Sequence, residues 1–367
     1  MPPDGPPPQA APRPGWGDID WRALATALAI GGGGGLLFAT LNMPLAWLLG
    51  SMAATTVAAL SPIRVAVPIR IRSLFVAVLG IMLGSAFTPE LAEQAGRFAG
   101  TLLVQAGFIV LVVSTGYFTY RVIGGYDRVT AYFSSTPGGM TEMTLIGDSL
   151  GGDMRTISLN HAVRVLIVVS VIPFYFSYIL GLEIGARPNT GTFAELKLED
   201  AMILAACGIV GFMVARRFRV PAYALIGPMV VSAAVHLAGW TSGNIPGGFV
   251  ATAQLVVGAA VGCRFAGISI RRMLQVAWLA AVNAMTLILL AAVVGSIAAR
   301  FIDTDGSALF LSLAPGGLAE MSMIAFALDV DTAFVTVMHF MRLLLVMMLA
   351  PLAYRFLSRR GKRGPAP

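Results

Sequence analysis

The stretch SSTPGGMTEM at residues 134–143 returns 178 residues later as SLAPGGLAEM at residues 312–321. Pro-Gly-Gly cannot sustain a regular helix, so each copy predicts a break in the chain. The register continues without a gap, and 13 of the 37 positions from 137 to 173 are identical to their partners. The polar pairs among them are Asp153 with Asp331, His161 with His339, and Arg164 with Arg342. Apolar composition does not match such residues in one register, so the sequence indicates an internal duplication.

Composition places the chain in a lipid bilayer. Hydrophobic residues make up 57% of the 367 residues and charged residues 12%, whereas a soluble domain carries about 25% charged residues. Apolar runs of 17 to 26 residues recur along the chain, and about 20 such residues cross the hydrocarbon core as a helix. The net charge of +7 comes from Arg and Lys at the ends of these runs, which indicates topology signals rather than a nucleic-acid surface. We therefore expect an all-α polytopic protein of the bacterial inner (cytoplasmic) membrane.

Each half is expected to hold five crossing helices and one interrupted segment. The crossings lie near residues 22–41, 44–61, 72–88, 98–122 and 156–180, and near 200–217, 221–239, 248–265, 274–300 and 333–357. The interrupted segments, 128–150 and 306–330, are predicted to be re-entrant hairpins. The predicted units are a disordered proline-rich tail at 1–20, one transmembrane repeat at 21–185, a second at 197–357, and a basic cytoplasmic tail at 358–367.

An odd number of crossings in each half requires the second half to be inverted. The charges of the loops favour this arrangement, because the loop at 41–43 is uncharged while its counterpart carries Arg216, Arg217 and Arg219. Conversely, Arg64, Arg70 and Arg72 follow the second helix, and the equivalent loop at 240–247 has no charge. By the positive-inside rule, equivalent loops then face opposite sides of the membrane, and both termini lie in the cytoplasm.

The breaks are the candidate site. A helix from Arg128 to Thr136 rises about 13 Å, so its Pro-Gly-Gly tip reaches the middle of the bilayer, where irregular backbone indicates a polar cavity. A second half-helix begins after each tip, and its free N–H groups can bind an anion. The candidate substrate- or ion-binding residues are Pro137, Gly138, Gly139, Glu142, His161, Arg164, Pro315, Gly316, Gly317, Glu320, His339 and Arg342.

Each candidate also has a purely structural interpretation. Glu142 and Glu320 fall in the first turn of their half-helices, where they either cap free N–H groups or couple protons or cations. The His-x-x-Arg pairs share one helix face, and the arginines either pair with these glutamates or bind an anion while the histidines relay protons. Hydroxyls around the first tip favour local backbone bonds. Gly80-xxx-Gly84 and Gly258-xxx-Gly262 favour close helix packing, and the run Gly31–Gly35 indicates a hinge or a tight crossing.

The paired elements SSTPGGMTEM and SLAPGGLAEMS, each followed by a His-x-x-Arg helix, resemble the AbrB-type membrane proteins of Gram-negative bacteria, a family defined by this duplication. The resemblance covers residues 25–357. It implies a label of ammonia monooxygenase or of regulator of gene expression. The residues fit both labels poorly, because a copper enzyme needs clustered histidines and the three here are dispersed. Without a DNA-binding motif, any regulatory effect is expected to be indirect.

The sequence thus predicts a secondary-transporter-like protein that moves a small metabolite, anionic if the arginines bind it, by alternating access. It is not expected to be an enzyme, and no cofactor or metal is expected. The alternatives are a channel for an ammonia-like solute that depends on His161 and His339, and a membrane sensor that acts on gene expression through a partner. The expected partners are the bilayer and a small-molecule substrate of unknown identity, with no direct nucleic acid, and a homodimer is left open.

Overall fold

A computed structural model of the protein describes residues 19–87, 95–181 and 196–361. Most of the two predicted tails lies outside these ranges. The first half contains α1 (Trp21–Thr40), α2 (Ala46–Leu60), α3 (Ile69–Gly84), α4 (Ala95–Phe118), α5 (Arg128–Ser135), α6 (Met140–Ser149) and α7 (Met154–Phe174). The second contains α8 (Leu198–Arg217), α9 (Tyr223–Leu237), α10 (Gly247–Gly262), α11 (Ile270–Ala298), α12 (Gly306–Leu313), α13 (Leu318–Ala327) and α14 (Thr332–Gly361). Every regular element within the described ranges is helical.

The helices confirm a multi-pass membrane protein. Seven of them, among the described residues, are long and apolar enough to cross a bilayer: α1, α4, α7, α8, α10, α11 and α14, some with the turn that follows. Three predicted crossings are shorter, since α2 and α9 have 15 residues and α3 has 16. A 15-residue helix rises about 22 Å, less than the roughly 30 Å of the hydrocarbon core. α2 and α9 each begin after a left-handed residue, Leu45 and Ala222, and α3 begins after Pro68, whose backbone is not helical.

The predicted breaks are present in both halves. In the first, α5 ends at Ser135 and α6 begins at Met140, so Pro-Gly-Gly lies between two half-helices of 8 and 10 residues. In the second, α12 and α13 have the same lengths. Asp127 caps α5 by accepting from the N–H groups of the first turn, and its counterpart Asp305 caps α12.

The two halves follow one helix order with nearly constant spacing. The helices that surround the breaks, α5, α6 and α7, start 178 residues before α12, α13 and α14. Even the local backbone repeats, because Asn42 and Leu45 have the same left-handed conformation as Arg219 and Ala222, 177 residues later. Non-glycine residues seldom adopt this conformation, so its recurrence at matched positions is what a duplication predicts.

Helices of one half pack against helices of the other. α3 lies against α9, and α2 lies against α10. A Cβ atom at Gly80 would overlap the carbonyl oxygen of Leu225 in α9, and one at Gly258 would overlap that of Leu48 in α2. The predicted packing role of the Gly-xxx-Gly pairs is therefore confirmed, and the contact it makes joins the two halves.

The glycine run in α1 belongs to a tight crossing, not to a hinge. α1 is one continuous helix from Trp21 to Thr40. Gly34 and Gly50 face each other so closely that a Cβ on either would overlap the other's carbonyl oxygen. Gly211 of α8 and Gly227 of α9 make the same contact in the second half.

Candidate binding site at the helix breaks

The break in the second half is held by Arg342. Its Nη1 donates to the carbonyl oxygen of Ala314 at 2.6 Å, and its Nη2 donates to that of Gly316 at 2.7 Å. Nη2 also donates to Nδ1 of His339 at 2.8 Å. Carbonyl groups released by a helix break need donors when they are buried, and one guanidinium supplies them here. Arg342 therefore serves the backbone of its own break and does not pair with Glu320.

Both histidines hold the half-helix that precedes the break. The Nε2–H of His339 donates to the carbonyl oxygen of Leu311 at 2.8 Å, and that of His161 donates to the carbonyl oxygen of Phe133 at 3.0 Å. A carbonyl oxygen can only accept, so Nε2 carries the proton and Nδ1 of each ring is an acceptor in the neutral form. His161 and His339 are 0% and 1% exposed, so neither Nδ1 can be satisfied by bulk water.

The first half leaves the equivalent groups unpaired. Arg164 is 4% exposed, and its Nε and Nη1 have no hydrogen-bond partner, nor does Nδ1 of His161. Two further buried oxygens without a partner, Oδ1 of Asn160 and Oδ1 of Asn283, lie on α7 and on the adjacent α11. Buried polar atoms are nearly always satisfied, so a cluster of five unpaired atoms indicates a place for water or a ligand.

The glutamates curl back onto the breaks. Glu142 is the third residue of α6, and a Cβ at Gly139, the residue before that helix, would overlap its Oε2. Glu320 has the same relation to Gly317. Each carboxylate thus lies at the N-terminal end of its half-helix, where the helix dipole stabilises negative charge.

Positive charge exceeds negative charge around the breaks. The groups concerned are four arginines and two glutamates: Arg72, Arg164, Arg264, Arg342, Glu142 and Glu320. Nη2 of Arg72 lies 3.7 Å from Oε1 of Glu320, which also attracts Arg264. Arg164 and Arg342 lie within electrostatic range of each other. Arg164, Arg342 and Glu320 are the buried members of this set, so buried positive charge is in excess there, and a bound anion would lower its cost.

The hydroxyl groups near the tips serve the backbone. Oγ of Ser135 and Oγ1 of Thr136 both donate to the carbonyl oxygen of Tyr132, one turn earlier. Ser312 donates in the same way to Leu309. The structure thus confirms local bonding for these three side chains.

An open cleft lies on one side of the bundle, beside the first turn of α7. It encloses about 520 Å³ and is lined by Tyr126, Thr156, Ser269, Arg271, Gln275 and Val276. Along α7, Asn160 follows Thr156 by one turn and Arg164 follows by two, which places Arg164 about 12 Å farther along the helix. The positions of α14 that correspond to Thr156 and Asn160 hold Phe334 and Met338, which are both apolar and buried.

The structure gathers most of the predicted residues and adds others. His161 and Arg164 lie beside the first break, and Gly138 of that break packs against Val346, one turn beyond Arg342. The sequence interpretation missed Asn160, Asn283 and Arg72. A signal was present, because amide side chains within apolar membrane segments are costly and usually functional.

Two comparisons bear on identity. The family model described as "Transition state regulatory protein AbrB" matches residues 47–358. The chain belongs to this family. Relatives include "Uncharacterized protein YhjN" of Bacillus subtilis (strain 168), 26% identical over 90% of this chain and 92% of that protein. Another is "Putative regulator AbrB" of Escherichia coli (strain K12), 23% identical over 94% of this chain and 96% of that protein. The resemblance to the AbrB family seen in the sequence is confirmed.

Proposed function

We propose that this AbrB-family protein carries a small anionic metabolite across the bacterial inner membrane by alternating access and performs no chemical conversion. The observation that carries the proposal is the buried guanidinium of Arg164, whose Nε and Nη1 have no protein partner. Both Nη1 and Nη2 of its counterpart Arg342 donate to groups at the second break. The N–H groups of Nε and Nη1 point to different sides of the planar guanidinium, so each can donate a charge-assisted hydrogen bond to an oxygen of an anion.

The proposed architecture is a pair of inverted repeats, each with five crossings and a re-entrant hairpin, and with both termini in the cytoplasm. Reciprocal packing of α2 on α10 and of α3 on α9 supports this arrangement. The polar cleft opens beside Thr156, two turns before Arg164 on α7, while Phe334 and Met338 occupy the positions of α14 that correspond to Thr156 and Asn160. Access from a single side is expected for one state of an alternating-access carrier.

The test is uptake of radiolabelled mono- and dicarboxylates by liposomes that contain the purified protein. Arg164→Gln is expected to abolish uptake, because the amide cannot replace the charged fork. Arg164→Lys is expected to retain a fraction of it. Uptake that survives Arg164→Gln contradicts the proposal. Ligand binding without uptake supports the sensor instead, and flux of ammonia that requires His161 and His339 supports the channel.

A further inference from the structure

The unpaired atoms at Arg164 include both hydrogen-bond donors and acceptors, which limits the ligands that could satisfy them. Arg164 contributes two donors, Nε and Nη1, whereas His161 Nδ1 and Asn160 Oδ1 are acceptors without a donor. A simple anion offers only acceptors, so it satisfies the arginine and leaves His161 Nδ1, Asn160 Oδ1 and the Oδ1 of Asn283 unpaired. A ligand complementary to the whole cluster must bring donors of its own.

The orientation of both acceptors is fixed by their other bonds. Nδ2 of Asn160 donates to the carbonyl oxygen of Thr156 at 2.9 Å, so its Oδ1 is the free end of the amide. The ring of His161 is fixed in the same way by its bond to Phe133, which leaves Nδ1 as the acceptor. Asn160 lies four residues before Arg164, and His161 lies three residues before it. The three side chains therefore share one face of α7.

The charge of the surroundings selects the kind of donor. An ammonium group would supply N–H bonds, but Arg164 and Arg264 both lie within electrostatic range of His161. Like charges in a poorly hydrated interior repel strongly. A hydroxyl group donates without bringing positive charge, so it fits beside these arginines.

We propose that the site binds small hydroxycarboxylates, with the carboxylate on Arg164 and a hydroxyl group donating to Asn160 or His161. This inference rests on the proposed anion site and refines its substrate class. Asn160 and His161 then distinguish among anions, and Arg164 binds all of them. The second half could not make this distinction, because Met338 replaces Asn160 there and Arg342 already occupies the Nδ1 of His339.

The experiment compares propionate, lactate and serine, three acids of similar size, by calorimetric titration of the purified full-length protein. Lactate is expected to bind on the order of tenfold more tightly than propionate, since one buried hydrogen bond is gained. Asn160→Met, which copies the second half, is expected to reduce that ratio toward one. Ser135→Ala is the matched control, because its hydroxyl is bonded to the backbone of its own helix, and the ratio should persist.

The outcomes separate the two proposals. If propionate and lactate bind equally well, the hydroxycarboxylate assignment is wrong while the anion site stands. Serine binding more tightly than lactate also overturns it, in favour of a zwitterion. If none of the three acids binds, the anion site itself is rejected. Melting curves of Asn160→Met and Ser135→Ala verify that both variants are folded.

Discussion

Nη2 of Arg342 donates to Nδ1 of His339 at 2.8 Å, and this bond has no equivalent between Arg164 and His161. The two pairs occupy matched positions of the duplication and have identical residue types. One pair closes its break with hydrogen bonds, and the other leaves its donors and acceptor unpaired. The Arg342 pair thus serves its own break, and the Arg164 pair is the one that we propose binds a ligand.

This difference predicts opposite effects on stability. Arg342→Gln removes the donors for the carbonyl groups of Ala314 and Gly316, and we expect the free energy of unfolding to fall by about 3 kcal/mol. Arg164→Gln removes a buried charge without a partner, so stability should stay the same or rise. Thermal melting of the purified variants in detergent, without added ligand, measures both effects. Equal losses in the two variants would show that Arg164 also supports the fold.

The sequence was sufficient to predict the break and the residues beside it. Pro-Gly-Gly can end a helix wherever it occurs, and His161 and Arg164 share a face because of their spacing. It could not predict which half holds the free arginine, because Arg164 and Arg342 have the same local sequence pattern. That difference arises from packing, as Arg342 turns toward the carbonyl groups of its own break.

The sequence also could not predict the lengths of α2, α3 and α9. Apolar runs there predicted full crossings, but left-handed residues at Leu45 and Ala222 start α2 and α9 late. Nothing in the hydrophobicity of Leu or Ala indicates such a conformation. In α2, which begins after left-handed Leu45, Gly50 lies against Gly34 of α1. The short helix is therefore also the one that makes the tight crossing.

The contact between the halves predicts a steric effect at Gly80. Gly80→Val should lower the free energy of unfolding by about 3 kcal/mol, because the new side chain overlaps the Leu225 carbonyl of α9. Gly107→Val is the matched control, since no atom lies within 4 Å of a Cβ built there. Detergent melting curves of the two variants should differ clearly. A similar melting temperature for both would contradict the close approach of α3 and α9.

The capping role of Glu142 can be tested through Gly139. Gly139→Ala places a Cβ against the Glu142 carboxylate and is expected to cost about 1 kcal/mol of stability. In a Glu142→Ala background the carboxylate is absent, so the same change should cost nothing. The four melting temperatures of this double-mutant cycle measure the coupling. An equal cost of Gly139→Ala in both backgrounds would show that the Glu142 carboxylate does not lie against Gly139.

Leu41 and Phe218 offer a direct test of inversion. They end α1 and α8 with nearly identical backbone angles, and both side chains are exposed, so cysteine fits at either position. Cys207 and Cys263 are free thiols, and both would first be replaced by Ala. A membrane-impermeant maleimide is expected to label Leu41→Cys in spheroplasts and Phe218→Cys only in inside-out vesicles. Trp240→Cys should be labelled from the same side as Leu41→Cys, and Arg64→Cys from the same side as Phe218→Cys. Successive helices cross the membrane in alternating directions, which places the two residues of each pair on one side. If Leu41→Cys and Phe218→Cys are labelled from the same side, the repeats are parallel, and the two breaks cannot be related by an axis in the membrane plane.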